Sequence, residues 1–262
     1  MGLDLLRIEL NGLWMSGLIV PGGVAFLVAI LTRRAAFGMA VGFSLAVWLR
    51  TGFPFIPFGA AEHAVALAVL AGAILGVGAG RLRSSLGRPA AVAVCALAAL
   101  GVAWPMVATP SWGAAMMVFA AAVIGTLGHA ALGRVAARPV ACALALGAGL
   151  GGLGVASAFG GATSLVVPPI ALGAAVLGGA FALAWRGQGF GPAALLLCGA
   201  GLAGFAAEAL TATLVDRLAL LPLPFCFAGL LVQGQGYGAH VRIAAIAGAP
   251  VVAAGVLAYG LQ

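Results

Sequence analysis

Long apolar runs, interrupted at short and fairly regular intervals by arginine, proline or a small polar cluster, set the pattern of this chain. A helix needs about 20 apolar residues to cross the hydrocarbon core of a bilayer. Cutting the chain at its breaks gives about ten predicted helices, at 12–32, 35–50, 63–80, 89–108, 112–133, 139–159, 166–185, 191–214, 218–233 and 241–260. The second and ninth runs are short. The ninth, LALLPLPFCFAGLLVQG, carries Pro222 and Pro224 and reads as re-entrant or broken, so eight or nine spans are the alternatives. Ahead of the first run, Leu3, Leu6, Leu10 and Leu13 recur at helical spacing while Asp4, Arg7 and Asn11 share the other face. Residues 1–11 are therefore expected to form a short helix lying at the membrane surface. The opening places Asp4 and Glu9 among leucines, with no basic stretch followed by an apolar core, so no cleavable leader is expected. The predicted fold is all-α: a polytopic transmembrane helix bundle with short loops, one integral membrane domain over 1–262 and no soluble domain.

The arginines orient this bundle. Connections after the odd-numbered runs hold Arg33, Arg34, Arg81, Arg83, Arg88, Arg134, Arg138, Arg186 and Arg242, whereas those after the even-numbered runs hold only Arg50 and Arg217. Basic residues concentrate on the cytoplasmic side of membrane proteins. The expected location is a bacterial-type inner membrane with both termini on the periplasmic side. All five carboxylates, Asp4, Glu9, Glu62, Glu208 and Asp216, then fall in the outer half or on the outer surface. An arginine face without carboxylates suits anionic lipid headgroups, and Arg33, Arg34, Arg81, Arg83, Arg88, Arg134 and Arg138 are the candidate contacts.

Composition sharpens the picture. Of 262 residues 64% are hydrophobic and 6% charged, against roughly 25% charged in soluble domains, and the mean hydropathy is +1.23. So few charges exclude a water-facing surface. The 42 glycines suggest close helix–helix contact, since small residues let backbones approach. Gly72, Gly76 and Gly80 form one such stripe, and Gly147 and Gly151 another. The net charge of +7 comes from scattered arginines with no basic run, which gives no reason to expect a nucleic acid partner. The four cysteines form no CxxC pair and have no histidine at ligand spacing, so neither metal nor cofactor is expected. No GxxxxGK[ST] loop is present to bind ATP.

Few residues are capable of chemistry. Glu208 lies inside the eighth run, with Gly204 one turn before it and Thr211 three residues after it on the same face. An ionisable group within a span is a functional candidate by default. Glu208 and Thr211 are candidates for proton or ion binding, and the alternative is a carboxylate paired with Arg50 or Arg217. His129, flanked by Gly125 and Gly133, is a second candidate proton-binding group; a haem would need another histidine at similar depth. Phe53, Pro54, Phe55 and Pro57, followed by Glu62 and His63, form an extended aromatic segment suited to an outer lid or docking surface, or to an interfacial anchor. No Ser-His-Asp set, HExxH or catalytic carboxylate pair is present, which weighs against an enzyme.

The reading that best fits this poverty of polar residues is an accessory or structural subunit of a larger membrane complex, partnered by other membrane subunits or by copies of itself. The alternative is a secondary transporter of a small or lipophilic solute that uses Glu208.

Overall fold

In the computed structural model, residues 13–52, 61–79, 87–107, 111–159, 162, 165–211, 217–232 and 236–260 are described. Among them the chain is all-helical, without strands. The expected surface helix at 1–11, the aromatic segment Phe53, Pro54, Phe55 and Pro57, and Gly80, Arg81 and Arg83 lie outside the described residues.

A π-helical turn (Leu13–Ile19) leads directly into α1 (Val20–Thr32). There follow α2 (Ala35–Thr51), α3 (Ala61–Ala79), α4 (Gly87–Val107), α5 (Trp112–Arg134), α6 (Pro139–Phe159), α7 (Val167–Trp185) and α8 (Pro192–Thr211). The chain closes with a four-residue α9 (Arg217–Leu220), a 3-10 helix (Leu223–Leu231) and α10 (Tyr237–Gly260). Among the described residues seven helices are long and apolar enough to cross a membrane: α1 with its preceding turn, α3, α5, α6, α7, α8 and α10. Two shorter apolar helices, Ala35–Thr51 and Arg88–Trp104, accompany them.

Local chemistry explains where several helices start. Pro139 and Pro192 open α6 and α8, and Pro168 and Pro169 follow Val167 at the start of α7. There the missing N–H is one the helix could not have bonded anyway. The Ser111 hydroxyl caps α5 by accepting from the Ala114 amide at 3.1 Å. At the other end of α2, Gly52 adopts φ +82, a conformation open to glycine, and its amide donates to Trp48 at 2.8 Å.

Glycine sets the distances between helices. Gly38 of α2 faces Ala25 and Ala29 of α1, and a methyl group added there would lie 2.8 Å from the Ala29 nitrogen. Gly125 of α5 sits over Gly199 and Ala203 of α8 in the same way. Most telling is the antiparallel pair α3 and α8. Val65 packs on Gly204 and Val69 on Gly201, while Gly72 meets the backbone of Leu196 and Leu197 and Gly76 that of Ala193. As a result α8 is the most enclosed helix, with Leu197, Ala200, Ala203 and Ala207 fully buried.

The ninth run is broken, and its geometry is unusual. Ala219 clusters with Ala156, the Leu223 side chain meets Gly152, Cys226 faces Gly149, and Val232 is bonded to Arg138. The segment therefore runs antiparallel to α6 over most of its height. That height is about 27 Å at 1.5 Å per residue of α helix. The nine-residue 3-10 helix covers about 16 Å of it, since it rises about 2.0 Å per residue.

Candidate functional site

The two ends of the bundle differ in charge. One gathers Arg33, Arg34, Arg134, Arg138 and Arg186 with the connections α1–α2, α5–α6 and α7–α8. Two backbone links tie it together: Phe190 N–H donates to Ala136 at 2.7 Å, and the Arg186 guanidinium donates to Ala29 at 3.2 Å and to Ile30 at 2.5 Å. Arg138 donates to the carbonyls of Val232 at 2.6 Å and Leu230 at 3.0 Å. Arg138 and Arg186 thus cap the C-terminal ends of the 3-10 helix and of α1, where carbonyls lack helical partners. Arg33 closes α1 in a left-handed conformation at φ 59, and Arg33, Arg34, Arg88 and Arg134 are exposed. Lipid contact is open to those four, whereas the Arg138 fork is engaged with protein.

The opposite end holds both described carboxylates, and they converge. The register of α3 on α8, carried one turn past Val65 and Gly204, sets Glu62 level with Glu208. Glu62 is 4% and Glu208 8% exposed. Arg50, in the last turn of α2, places its Nε 3.8 Å from Glu62 Oε1, and Glu208 lies within electrostatic reach of both Glu62 and Arg50. Glu62 occupies the first turn of α3, where the helix dipole favours an anion. Glu62 Oε2 and Glu208 Oε2 are buried and have no hydrogen-bond partner among the described residues.

His63 completes the cluster. Its Nε2 lies 2.7 Å from Thr51 Oγ1 and 3.3 Å from the Gly52 carbonyl oxygen. A carbonyl can only accept, so the proton belongs on Nε2. The Thr51 hydroxyl then accepts from the ring and donates its own hydrogen to Val47 at 2.8 Å. This assignment leaves Nδ1 as a buried acceptor with no partner among the described residues.

Other candidates stand apart. The Thr211 hydroxyl bonds its own helix, at 2.9 Å to the Ala207 oxygen and 3.0 Å to that of Glu208, and so is turned to backbone. His129 packs over Gly199 of α8, close to the Cys95 thiol, with a buried Nδ1 that lacks a partner among the described residues. Gly199 lies about 13 Å below Glu208 along the helix, so His129 forms no part of the carboxylate cluster. No group of three or more His, Cys, Asp or Glu is arranged to hold a metal ion among the described residues. Of the glycines singled out by spacing, Gly72 and Gly76 lie against α8, but Gly147 and Gly151 line an open groove where an added methyl group would meet nothing within 4 Å. On α6 the close contacts fall to Gly152 and Gly154.

Sequence reasoning kept Glu62 and His63 apart from Glu208 and missed Thr51. The signal was present in the glycine spacing of α3 and α8, because two stripes that zip in antiparallel register carry their flanking polar residues to one level. Comparison with models of protein families, with curated proteins and with solved structures finds no match for this chain.

Proposed function

We propose that this chain is a secondary carrier that moves a small or lipophilic solute across a membrane, coupled to a proton or cation bound by Glu62 and Glu208. The observation that supports the reading most is the meeting of these two carboxylates, with one oxygen of each unpartnered, at one end of an otherwise apolar bundle. Glu62, Glu208 and Arg50 together carry one net negative charge. Holding a net charge within an apolar bundle costs several kcal/mol. Binding one proton or monovalent cation makes the cluster neutral. Loading therefore removes the electrostatic obstacle to moving the cluster into a dry environment, which is the logic a coupled carrier requires.

The same three helices offer a route. Below the cluster, Phe43, Val69 and Phe205 are buried between α2, α3 and α8, with the Phe43 and Phe205 rings edge to face at 6.0 Å, and the buried Met39 of α2 packs against Gly179 of α7. At the arginine end, a cavity of about 560 Å³ opens between α2, α3, α7 and α8, bordered by Arg34 and Gln188. A closed apolar plug between a charged site and an open vestibule fits a carrier resting with one side shut. In this reading the chain crosses the membrane about ten times, the broken ninth run included, and the arginine end is cytoplasmic. A second reading, a structural subunit of a membrane assembly, draws on the plug itself, since Phe43, Val69 and Phe205 are all apolar.

Glu208→Gln tests the proposal, because glutamine keeps size and hydrogen bonding but neither charge nor proton uptake. Infrared difference spectra of the wild-type protein between acid and alkaline buffer are expected to show the carbonyl band of a protonated carboxyl. The band disappears in the variant, while thermal stability in detergent stays near wild type. Absence of a pH-dependent band in the wild-type protein, or collapse of the variant without one, returns the chain to the subunit reading.

A further inference from the structure

A groove of about 1200 Å³ runs along the side of the bundle away from the carboxylate cluster. Its floor is the tight contact of α6 with α7, where a methyl group on Gly173 would lie 3.2 Å from the Gly147 Cα. One wall is α1, packed on α7 where Gly22 meets the backbone of Ala174 and Gly178. The other wall is α10, packed on α6 where Val251 meets Gly152. The groove extends along α7 from Ile170 to Trp185, about 22 Å at helical rise. One leaflet of the hydrocarbon core is about 15 Å deep, so the groove holds an acyl chain over its full length.

Its arginine end is where the chemistry changes. On α7 the lining finishes at Trp185, 81% exposed, and the next residue is Arg186. On α1 the lining finishes at Phe26, and one turn further on Ala29 and Ile30 receive the Arg186 guanidinium. A half-buried cation therefore stands at the head of an apolar trough. It has no carboxylate partner among the described residues, and three of its five N–H donors remain after the two bonds to α1. Indole rings such as that of Trp185 favour the headgroup level.

We infer that this groove is a specific site for a membrane phospholipid with an anionic headgroup, its phosphate on Arg186 and an acyl chain along Gly147 and Gly151. The charge at the rim selects the headgroup, and the bare glycines of the floor make room for the chain. The site is independent of any transport cycle at the opposite face.

Native mass spectrometry of the detergent-solubilised protein, titrated with phosphatidylglycerol or phosphatidylcholine, tests this. The wild-type protein is expected to retain one phosphatidylglycerol at least tenfold more readily than phosphatidylcholine. Arg186→Gln keeps occupancy but loses the preference. The double variant Gly147→Leu, Gly151→Leu fills the trough from positions where an added methyl group meets nothing within 4 Å, so it folds and loses both lipids. Should Arg186→Gln fail to fold for want of its cap on α1, the wild-type preference and the double variant decide the matter. Equal retention of the two lipids by the wild-type protein, or undiminished binding by the double variant, overturns the site. So does a dimer of this chain that the double variant splits, which would make the occupant a second copy.

Discussion

The α3–α8 seam and the α6–α7 groove are built from the same residue, glycine, to opposite ends. In the seam each glycine is filled by a neighbour, Gly72 and Gly76 by backbone and Gly201 and Gly204 by side chains, and the close approach brings two carboxylates together in a space with almost no water access. In the groove, Gly147 and Gly151 face outward and leave a trough that the protein itself does not fill. The charged groups follow suit. At the end of the seam, Arg50 faces a carboxylate; at the end of the groove, Arg186 bonds the carbonyls of Ala29 and Ile30 and has no carboxylate partner among the described residues. A glycine stripe in an apolar helix therefore marks either a contact or a cavity, and the outcome depends on what the opposing helix presents.

Substitution separates the two cases. Gly76→Leu drives a side chain into the backbone of Ala193 and is expected to cost more than about 3 kcal/mol, seen as loss of folded yield. Gly147→Leu in delipidated detergent is expected to stay within about 0.5 kcal/mol of wild type, as surface substitutions do. Equal effects at the two positions would break the comparison. Next in size is Arg138→Ala, which removes two charge-assisted bonds to the 3-10 helix and should lower stability by about 3 kcal/mol. Arg138→Lys, which lacks the planar fork, should recover only part of it in the same thermal unfolding assay. Arg50→Gln leaves the buried Glu62 without its cation, and a cost of about 2 kcal/mol is expected, below that of a fully buried pair because Arg50 is partly exposed. Adding Glu62→Gln should restore most of the loss, and a strictly additive double mutant would show that the pair does not interact. Without energetic consequence, cysteines at Gln188 and Trp112 report orientation. All four native cysteines are buried, so an impermeant thiol reagent applied to intact cells should label Trp112→Cys and spare Gln188→Cys. The reverse result inverts the topology.

Helix positions were legible in the sequence because apolar length and proline placement are local properties. The second to eighth runs overlap α2–α8 with shifts of three residues or fewer at their ends, and the first covers the π-helical turn together with α1. The ninth shows the limit of that reading. Pro222 and Pro224 announce a break, but nothing local says that the remainder stretches into a 3-10 helix to keep pace with α6. Arg138 reads as one of several surface arginines, and only the approach of Val232 turns it into a cap.

Glu208 could be picked out from the chain alone, since a carboxylate amid alanine and leucine is costly wherever it is placed. Arg50 could be named as one of two candidate partners, but the relation of Glu208 to Glu62 and His63 could not, because their positions lie far apart and composition carries no register. Hydrophobicity determined that this protein is a helical membrane-type bundle, one residue at a time, through the free energy of burying apolar surface. Which glycine meets a backbone, which faces open space, and which charges share a level were decided by interhelical packing, a property of pairs of helices that neither helix holds by itself.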